Sequence, residues 1–299
     1  MIKDLNKKEI FPGVLVYKNM FKDINNTFNI IKQSENISQD TYITKWQDWG
    51  VFGKIAKTVD NFYDIKIEEK TDQYEIINEL FNNYKNVGQD YVSFYKDKIN
   101  WPSFVNHFDL SSPPWTRVKA DILKYDITTE RDMALFYHVD QNLWKMSSGD
   151  LKFVLTVTAY INDDYIGGEI SFLNDQTNEI LTYRPEAGDI IVFPSFYPYY
   201  HGVLPVTSGN KYLFRMFHKW EYEGDSEWNL LKEKYGIEKV TEIYNNEIEK
   251  KIKIAEEKLY DTDNPDYSYD PNIVMPYKNG KIYKETYVDG RDNDWKIWN

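Results

Sequence analysis

The sequence predicts an α+β chain with a mainly β core, on three observations. From Trp115 to Trp220 short apolar, β-branched and aromatic runs alternate with turn residues, the pattern of an all-β sandwich or barrel. Before that region lies a long apolar stripe at helical spacing, and after it the chain becomes charged with a helical pattern.

Within the core the runs predict strands at Val118–Lys124, Ala134–His138, Phe153–Ile161, Glu169–Leu173, Ile180–Tyr183, Asp189–Pro194, Gly202–Val206 and Tyr212–Phe217. Gly167-Gly168, Asn174-Asp175 and Ser208-Gly-Asn210 supply the breaks between them. Upstream, Val14–Tyr17 reads as a strand and Phe21–Gln33 as a short helix. A longer helix begins at Asp72, with Glu75 placed as a capping-box partner. Ile76, Ile77, Leu80, Phe81, Tyr84, Val87, Tyr91 and Phe94 give this helix one apolar face, which predicts packing on a sheet. The aromatic run Trp46–Gly53 reads as a loop whose tryptophans plug the core or, as the alternative, line a substrate cleft. Downstream, Glu227 to about Leu259 reads as a helix, and Asn279-Gly280 between Val274–Tyr277 and Lys281–Tyr283 reads as a β-hairpin. The expected organisation is one unit over 1–222, with its β core at about 115–222 and helical support over 1–114, followed by a helical and hairpin appendage over 223–299.

Composition narrows the chemistry. The chain has 299 residues, 41% hydrophobic and 17% aromatic, enough apolar material for a sizeable core. It contains no cysteine, which excludes disulfides, thiolate catalysis and iron–sulfur clusters, so a bound metal would be held by imidazole and carboxylate. A net charge of −12 removes any whole-chain electrostatic argument for nucleic acid or an anionic membrane. The longest apolar runs have only strand length, and the N-terminus lacks a signal-peptide pattern, so the expectation is a soluble, cytoplasmic protein.

Only four histidines are present: His107, His138, His201 and His218. With 48 acidic residues, roughly 0.6 occurrences of His-x-Asp/Glu arise by chance, so His138-Val-Asp140 needs context. Alternate residues of a strand face one side, which would aim His138 and Asp140 into the same cavity. A third ligand from a distant strand, with His201 as the candidate, would complete one face of an octahedron. That set suits non-haem iron(II) with open positions, and zinc can occupy it too. His107 and His218 have no matching context and read as structural or surface residues.

Five ordered motifs supply the context: His138-Val-Asp140, Tyr160-Ile-Asn162, Gly167-Gly-Glu-Ile-Ser-Phe172, Ala187-Gly-Asp-Ile-Ile-Val-Phe-Pro194, and His201 followed by Pro205-Val206 and Gly209-Asn-Lys211. In this order the stretch from Asp121 to Trp220 resembles the prolyl 4-hydroxylase-like branch of the 2-oxoglutarate/Fe(II)-dependent dioxygenases, over about a third of the chain.

The resemblance implies a double-stranded β-helix of jelly-roll, cupin-like form. It also implies Fe(II) on His138, Asp140 and His201, 2-oxoglutarate as co-substrate, dioxygen, and ascorbate as an accessory reductant. Lys211, ten positions after His201, falls in the slot that pairs with the distal carboxylate of 2-oxoglutarate. Arg215, on the same face of that strand, is the competing cation, and Tyr125 corresponds to a tyrosine that hydrogen-bonds the same carboxylate. Phe217 stands where many relatives have tryptophan. The implied reaction is hydroxylation of a C–H bond coupled to decarboxylation of 2-oxoglutarate to succinate. A peptidyl proline is the expected substrate, and Tyr137, Trp144, Tyr197, Tyr199 and Tyr200 would line a peptide groove or serve as packing. The alternatives are a small metabolite or free amino acid, another metal-dependent barrel enzyme, and a catalytically silent barrel that acts as a binding module. No nucleic-acid or membrane partner is expected.

Overall fold

Strand β14 (Lys211–Lys219) shows why the core forms as it does. Its even-numbered residues Tyr212, Phe214 and Met216 pack with the helices, while Leu213 packs with the residues between the two sheets. The same alternation runs through β7 (Phe153–Tyr160), β11 (Ile190–Pro194) and β2 (Val14–Tyr17). Leu155, Val157, Ile190, Val192, Leu15 and Tyr17 face the helices; Tyr160, Ile191, Phe193, Val14 and Val16 face inward. A sheet covered on both faces needs apolar residues on both, which explains the unbroken run Ile190–Phe193. Each fully buried large side chain contributes about 1.5–3 kcal/mol.

The computed structural model describes residues 5–36, 42–43, 45–49, 53–57, 71–95, 120–128, 132–140, 153–174, 177–195, 199–219, 273–274 and 283–291. Its larger sheet has the order β1 (Lys7–Phe11), β2, β11, β7, β14, β5 (Asp121–Tyr125), β4 (Gly53–Lys57), β3 (Gln47–Asp48). The smaller sheet has the order β15 (Ile273–Val274), β6 (Leu135–His138), β12 (Tyr200–Val203), β9 (Ile170–Asn174), β10 (Glu179–Arg184), β16 (Lys284–Asp289). A two-stranded ribbon pairs β8 (Ile166–Gly167) with β13 (Val206–Ser208). From β5 to β14 the chain passes repeatedly between two mainly antiparallel sheets, with β9 and β10 a pair within one of them, which is the double-stranded β-helix that the resemblance implies.

Helix α1 (Ile24–Ser34) starts later than Phe21 because the Asp23 side chain accepts from the Asn26 amide at 3.0 Å and caps it. Helix α2 (Asp72–Tyr95) opens with the Glu75 amide bonded to the Thr71 carbonyl, so the cap position falls one residue before Asp72. Its stripe lies on the larger sheet as predicted, and its tyrosines anchor it: Tyr84 donates to the Phe217 carbonyl at 2.8 Å and Tyr91 to that of Gly13 at 2.6 Å. Buried His218 stacks on Tyr84 with centroids 3.8 Å apart, over Gly88, where a Cβ would lie 2.1 Å from its Nε2. It therefore serves helix–sheet packing.

Two expectations are corrected in detail. The run Trp46–Gly53 is not simply a loop: it carries β3 and the start of β4, with the Trp49 amide bonded to the Gly53 carbonyl at 2.7 Å. The expected strand Gly202–Val206 splits into β12 and β13, because Pro205 has no amide hydrogen to continue a ladder. Beyond residue 222, β15 pairs with β6 and β16 runs parallel to β10, so these two strands occupy opposite edges of the smaller sheet. Open sheet edges offer backbone partners that a lone hairpin lacks. The turn Asn279-Gly280, the helix expected over 227–259, His107, Trp144 and Tyr197 lie outside the described residues. Among the described residues no helix is long and apolar enough to cross a membrane.

Candidate metal centre and co-substrate pocket

The two imidazoles are brought together by the smaller sheet. In the antiparallel pairing of β12 with β6, His201 and His138 are direct partners, and their rings lie 4.5 Å apart. His138 ends β6, and Asp140 follows just beyond the strand. The potential ligand atoms of His138, Asp140 and His201 all lie within 4.8 Å of one another. His138 Nε2 is 3.7 Å from Asp140 Oδ1, and His201 Nε2 is 3.4 Å from Asp140 Oδ2.

Backbone carbonyls set the orientation of both rings. His138 Nδ1 lies 2.8 Å from the Phe136 oxygen, and His201 Nδ1 lies 3.3 Å from the Tyr199 oxygen. A carbonyl can only accept, so each Nδ1 carries a proton, which leaves Nε2, on the side of the carboxylate, as the nitrogen that could bind a metal. Burial pushes the His201 pKa down to about 4 against the opposing pull of Asp140. Burial works to raise the Asp140 pKa, but His201 and His138 outweigh it and hold the carboxyl below its usual range. A neutral His201 imidazole and an ionised Asp140 carboxylate are protonation states a divalent cation requires.

The larger sheet completes the centre with residues that motif reasoning did not single out. Thr156 in β7 donates to Asp140 Oδ2 at 2.6 Å, and its hydroxyl lies 2.8 Å from that of Ser195. Both are fully buried. The signal was present in β7, where Thr156, Thr158 and Tyr160 put oxygen atoms on the inward face of an otherwise apolar strand.

Lys211 opens β14 opposite Tyr125 of β5 and is fully buried. Its ammonium donates to the Gly168 carbonyl at 2.6 Å and lies 5.0 Å and 5.2 Å from the ring centroids of Tyr125 and Tyr160. No carboxylate pairs with it among the described residues. Burial pushes its pKa down to about 7, and nearby Arg184 acts in the same direction. Tyr160 was quoted in a motif but not given a role; here it stands beside Tyr125 as the second ring at the ammonium.

Arg215, four residues further along the same face of β14, lies roughly 13 Å from Lys211 by strand rise. Its guanidinium pairs with Asp121 at 2.9 Å and sits 5.7 Å from the Trp49 ring and 5.3 Å from the Phe217 ring. Burial opposes its charge, but Asp140 and Asp121 outweigh that and raise its pKa. The two cations therefore differ: Arg215 is paired with a carboxylate, and Lys211 is buried with no carboxylate partner among the described residues, Glu169 acting on it only at longer range.

Of the aromatic residues expected near the substrate, Tyr137 is buried with its hydroxyl 2.6 Å from that of Ser171, which makes it packing. Tyr199 and Tyr200 are half-buried.

No curated protein matches the chain. Solved structures similar to it include a putative oxygenase from Shewanella oneidensis, with 13% identity, 75% of this chain and 91% of that chain covered, and a TM-score of 0.47. A Pseudomonas putida prolyl-4-hydroxylase has 12% identity, coverage of 70% and 94%, and a TM-score of 0.43. A viral collagen prolyl hydroxylase from Paramecium Bursaria Chlorella virus-1 has 12% identity, coverage of 70% and 97%, and a TM-score of 0.41. A family model described as the 2OG-Fe(II) oxygenase superfamily matches residues 121–219, which hold all of His138, Asp140, His201 and Lys211.

Proposed function

We propose that the chain is an Fe(II)- and 2-oxoglutarate-dependent dioxygenase that hydroxylates a C–H bond, coupled to decarboxylation of 2-oxoglutarate to succinate. The observation that carries this reading is a pair of matched features between the two sheets: a largely buried triad of two imidazoles and a carboxylate, and a buried ammonium that pairs with no carboxylate among the described residues. A buried lysine without an anion is costly, and a dicarboxylate reaching from the metal to Lys211 would remove that cost.

His138, Asp140 and His201 would hold the iron through Nε2, a carboxylate oxygen and Nε2. The bound iron and co-substrate supply the oxidising power for C–H cleavage. The protein's part is positional. Thr156 fixes one Asp140 oxygen so that the carboxylate keeps its orientation, and the Phe136 and Tyr199 carbonyls fix the rings. Lys211 would bind the distal carboxylate, with Tyr125 and Tyr160 shielding the pair from water. Arg215 is committed to Asp121, which favours Lys211 as the anchor.

The resemblance of the motifs to the prolyl 4-hydroxylase-like branch supports a peptidyl proline as the prime substrate. Free amino acids and small metabolites are the competing class.

Anaerobic titration tests the reading. Fe(II) with 2-oxoglutarate and the protein is expected to give a visible charge-transfer band, and addition of dioxygen to give succinate. Absence of both would overturn it. A panel of prolyl peptides against free amino acids, read by mass increase of one oxygen, tests the substrate.

A further inference from the structure

Besides Lys211, the co-substrate end of the pocket contains a second buried cation. Arg184, the last residue of β10, is 2% exposed and pairs with no carboxylate among the described residues. Its guanidinium instead donates to three backbone carbonyls of one short segment: those of Asp163, at 3.0 Å, Tyr165 and Gly167. It also lies 4.0 Å from the Tyr165 ring centroid.

That segment ends in the double glycine. Gly167 and Gly168 have φ of +76° and +68°, and a Cβ on Gly167 would lie 2.1 Å from the Pro205 carbonyl oxygen. The Gly168 amide donates to that same oxygen at 2.9 Å. The turn is thus held from one side by β13 and from the other by Arg184. Its next carbonyl, that of Gly168, receives the Lys211 ammonium at 2.6 Å.

We propose that Arg184 is a positioning residue for the co-substrate anchor: its planar fork gathers the carbonyls of residues 163–167, so that the Gly168 carbonyl holds Lys211 aimed into the pocket. This rests on the dioxygenase reading above. A planar set of five donors can serve three converging carbonyls at once, whereas the point charge of a lysine cannot hold them in the same fixed geometry. The fixed charge of Arg184 acts on Lys211 as well, lowering its proton affinity. Arg184 has its oxygen partners within the protein and is not itself required to touch the co-substrate.

The test uses the full chain and Arg184→Met and Arg184→Lys variants, read by the anaerobic charge-transfer titration, by a separate Fe(II) binding titration, and by thermal melting. Arg184→Met is expected to raise the 2-oxoglutarate Kd about tenfold or more while the Fe(II) Kd stays within about twofold. It is also expected to move the pH midpoint of co-substrate binding upward, because a like charge beside Lys211 has gone. Arg184→Lys keeps the charge without the fork, so it should weaken co-substrate binding and leave the midpoint near that of the unaltered protein. If Arg184→Met does not fold, Arg184→Lys carries the test. Co-substrate Kd values equal to that of the unaltered protein in a folded variant would overturn the positioning role. Equal losses of Fe(II) and co-substrate binding would overturn it in favour of general structural support. A normal protein that gives no band would instead overturn the dioxygenase reading itself.

Discussion

The Thr156 hydroxyl donates to Asp140 Oδ2 at 2.6 Å, joining the larger sheet to the carboxylate of a triad otherwise carried by the smaller one. This bond has two consequences. It occupies one lone pair of Oδ2 and fixes the carboxylate plane, and it ties the spacing of the two sheets to the geometry of the candidate metal centre. Thr156→Val replaces the hydroxyl with a methyl group of similar size, so packing survives while the bond is lost. Loss of a bond to a metal-ligating carboxylate weakens metal binding by about 10–100-fold. Fe(II) titration is expected to show that loss in Thr156→Val and near-normal affinity in Thr156→Ser. Unchanged affinity in the valine variant would remove Thr156 from the site.

Lys211 gives a pH dependence with a definite sign. Its pKa in the folded protein is about 7 against an ordinary 10.5, because burial disfavours the ammonium. Between those values the unfolded chain holds more protons than the folded one, so this group makes the co-substrate-free protein more stable as pH rises from about 7 toward 10.5. Binding of a dicarboxylate restores the ammonium and takes up a proton. The Kd for 2-oxoglutarate is therefore expected to be level just below pH 7 and to rise by up to about tenfold per pH unit above it. Calorimetry in buffers of different ionisation enthalpy reads the proton uptake directly. Lys211→Met should abolish the slope and weaken binding about 10–100-fold, the range for a charge-assisted pair. A flat profile in the unaltered protein would refute the anchor.

His138 and His201 are direct cross-strand partners, so removing either leaves a two-ligand remnant on the smaller sheet. His138→Ala is expected to lower iron-dependent succinate formation at least about 100-fold, with little change in melting temperature because the His138 side chain is partly exposed, at 19%. Added imidazole, small enough to enter the space left, should restore part of the activity. Full turnover by His138→Ala would end the assignment.

Much of this site could be read from residue order because its chemistry is sparse. Four histidines, no cysteines and two His-x-Asp pairs, of which only His138-Val-Asp140 opens the ordered motifs, leave few ways to build a metal centre, and the strands that carry its residues follow simple alternation. Lys211 was found by its spacing from His201. Thr156 and Ser195 were not found, because their contact with Asp140 depends on the stagger between two sheets, which no local pattern encodes. Arg184 carries no motif of its own; its contacts are with three carbonyls some twenty residues away in sequence. The placement of β15 and β16 was hidden for a similar reason. A short strand pairs with whatever edge is open, and nothing local in 273–274 or 284–289 names that edge.

The parallel strand β16 supports the co-substrate end of the pocket. It runs beside β10 from Glu179–Lys284 to Arg184–Asp289, and the Gly290 amide then donates to the Arg184 carbonyl at 2.8 Å. The Gly290 carbonyl in turn accepts from Lys18 at 2.7 Å, and Lys18 is paired at 2.8 Å with buried Asp189. Removing residues 283–299 would expose the ladder edge of β10 and leave Lys18 and Asp189 open to water beside Arg184. Several backbone bonds at about 1 kcal/mol each are lost, together with burial of Tyr283 and Gly290. The truncated chain is expected to melt at least about 5 °C lower and to bind 2-oxoglutarate several-fold more weakly, while Fe(II) affinity, set by β6 and β12, changes little. Melting and affinities equal to those of the full chain would show that β16 contributes nothing to the pocket.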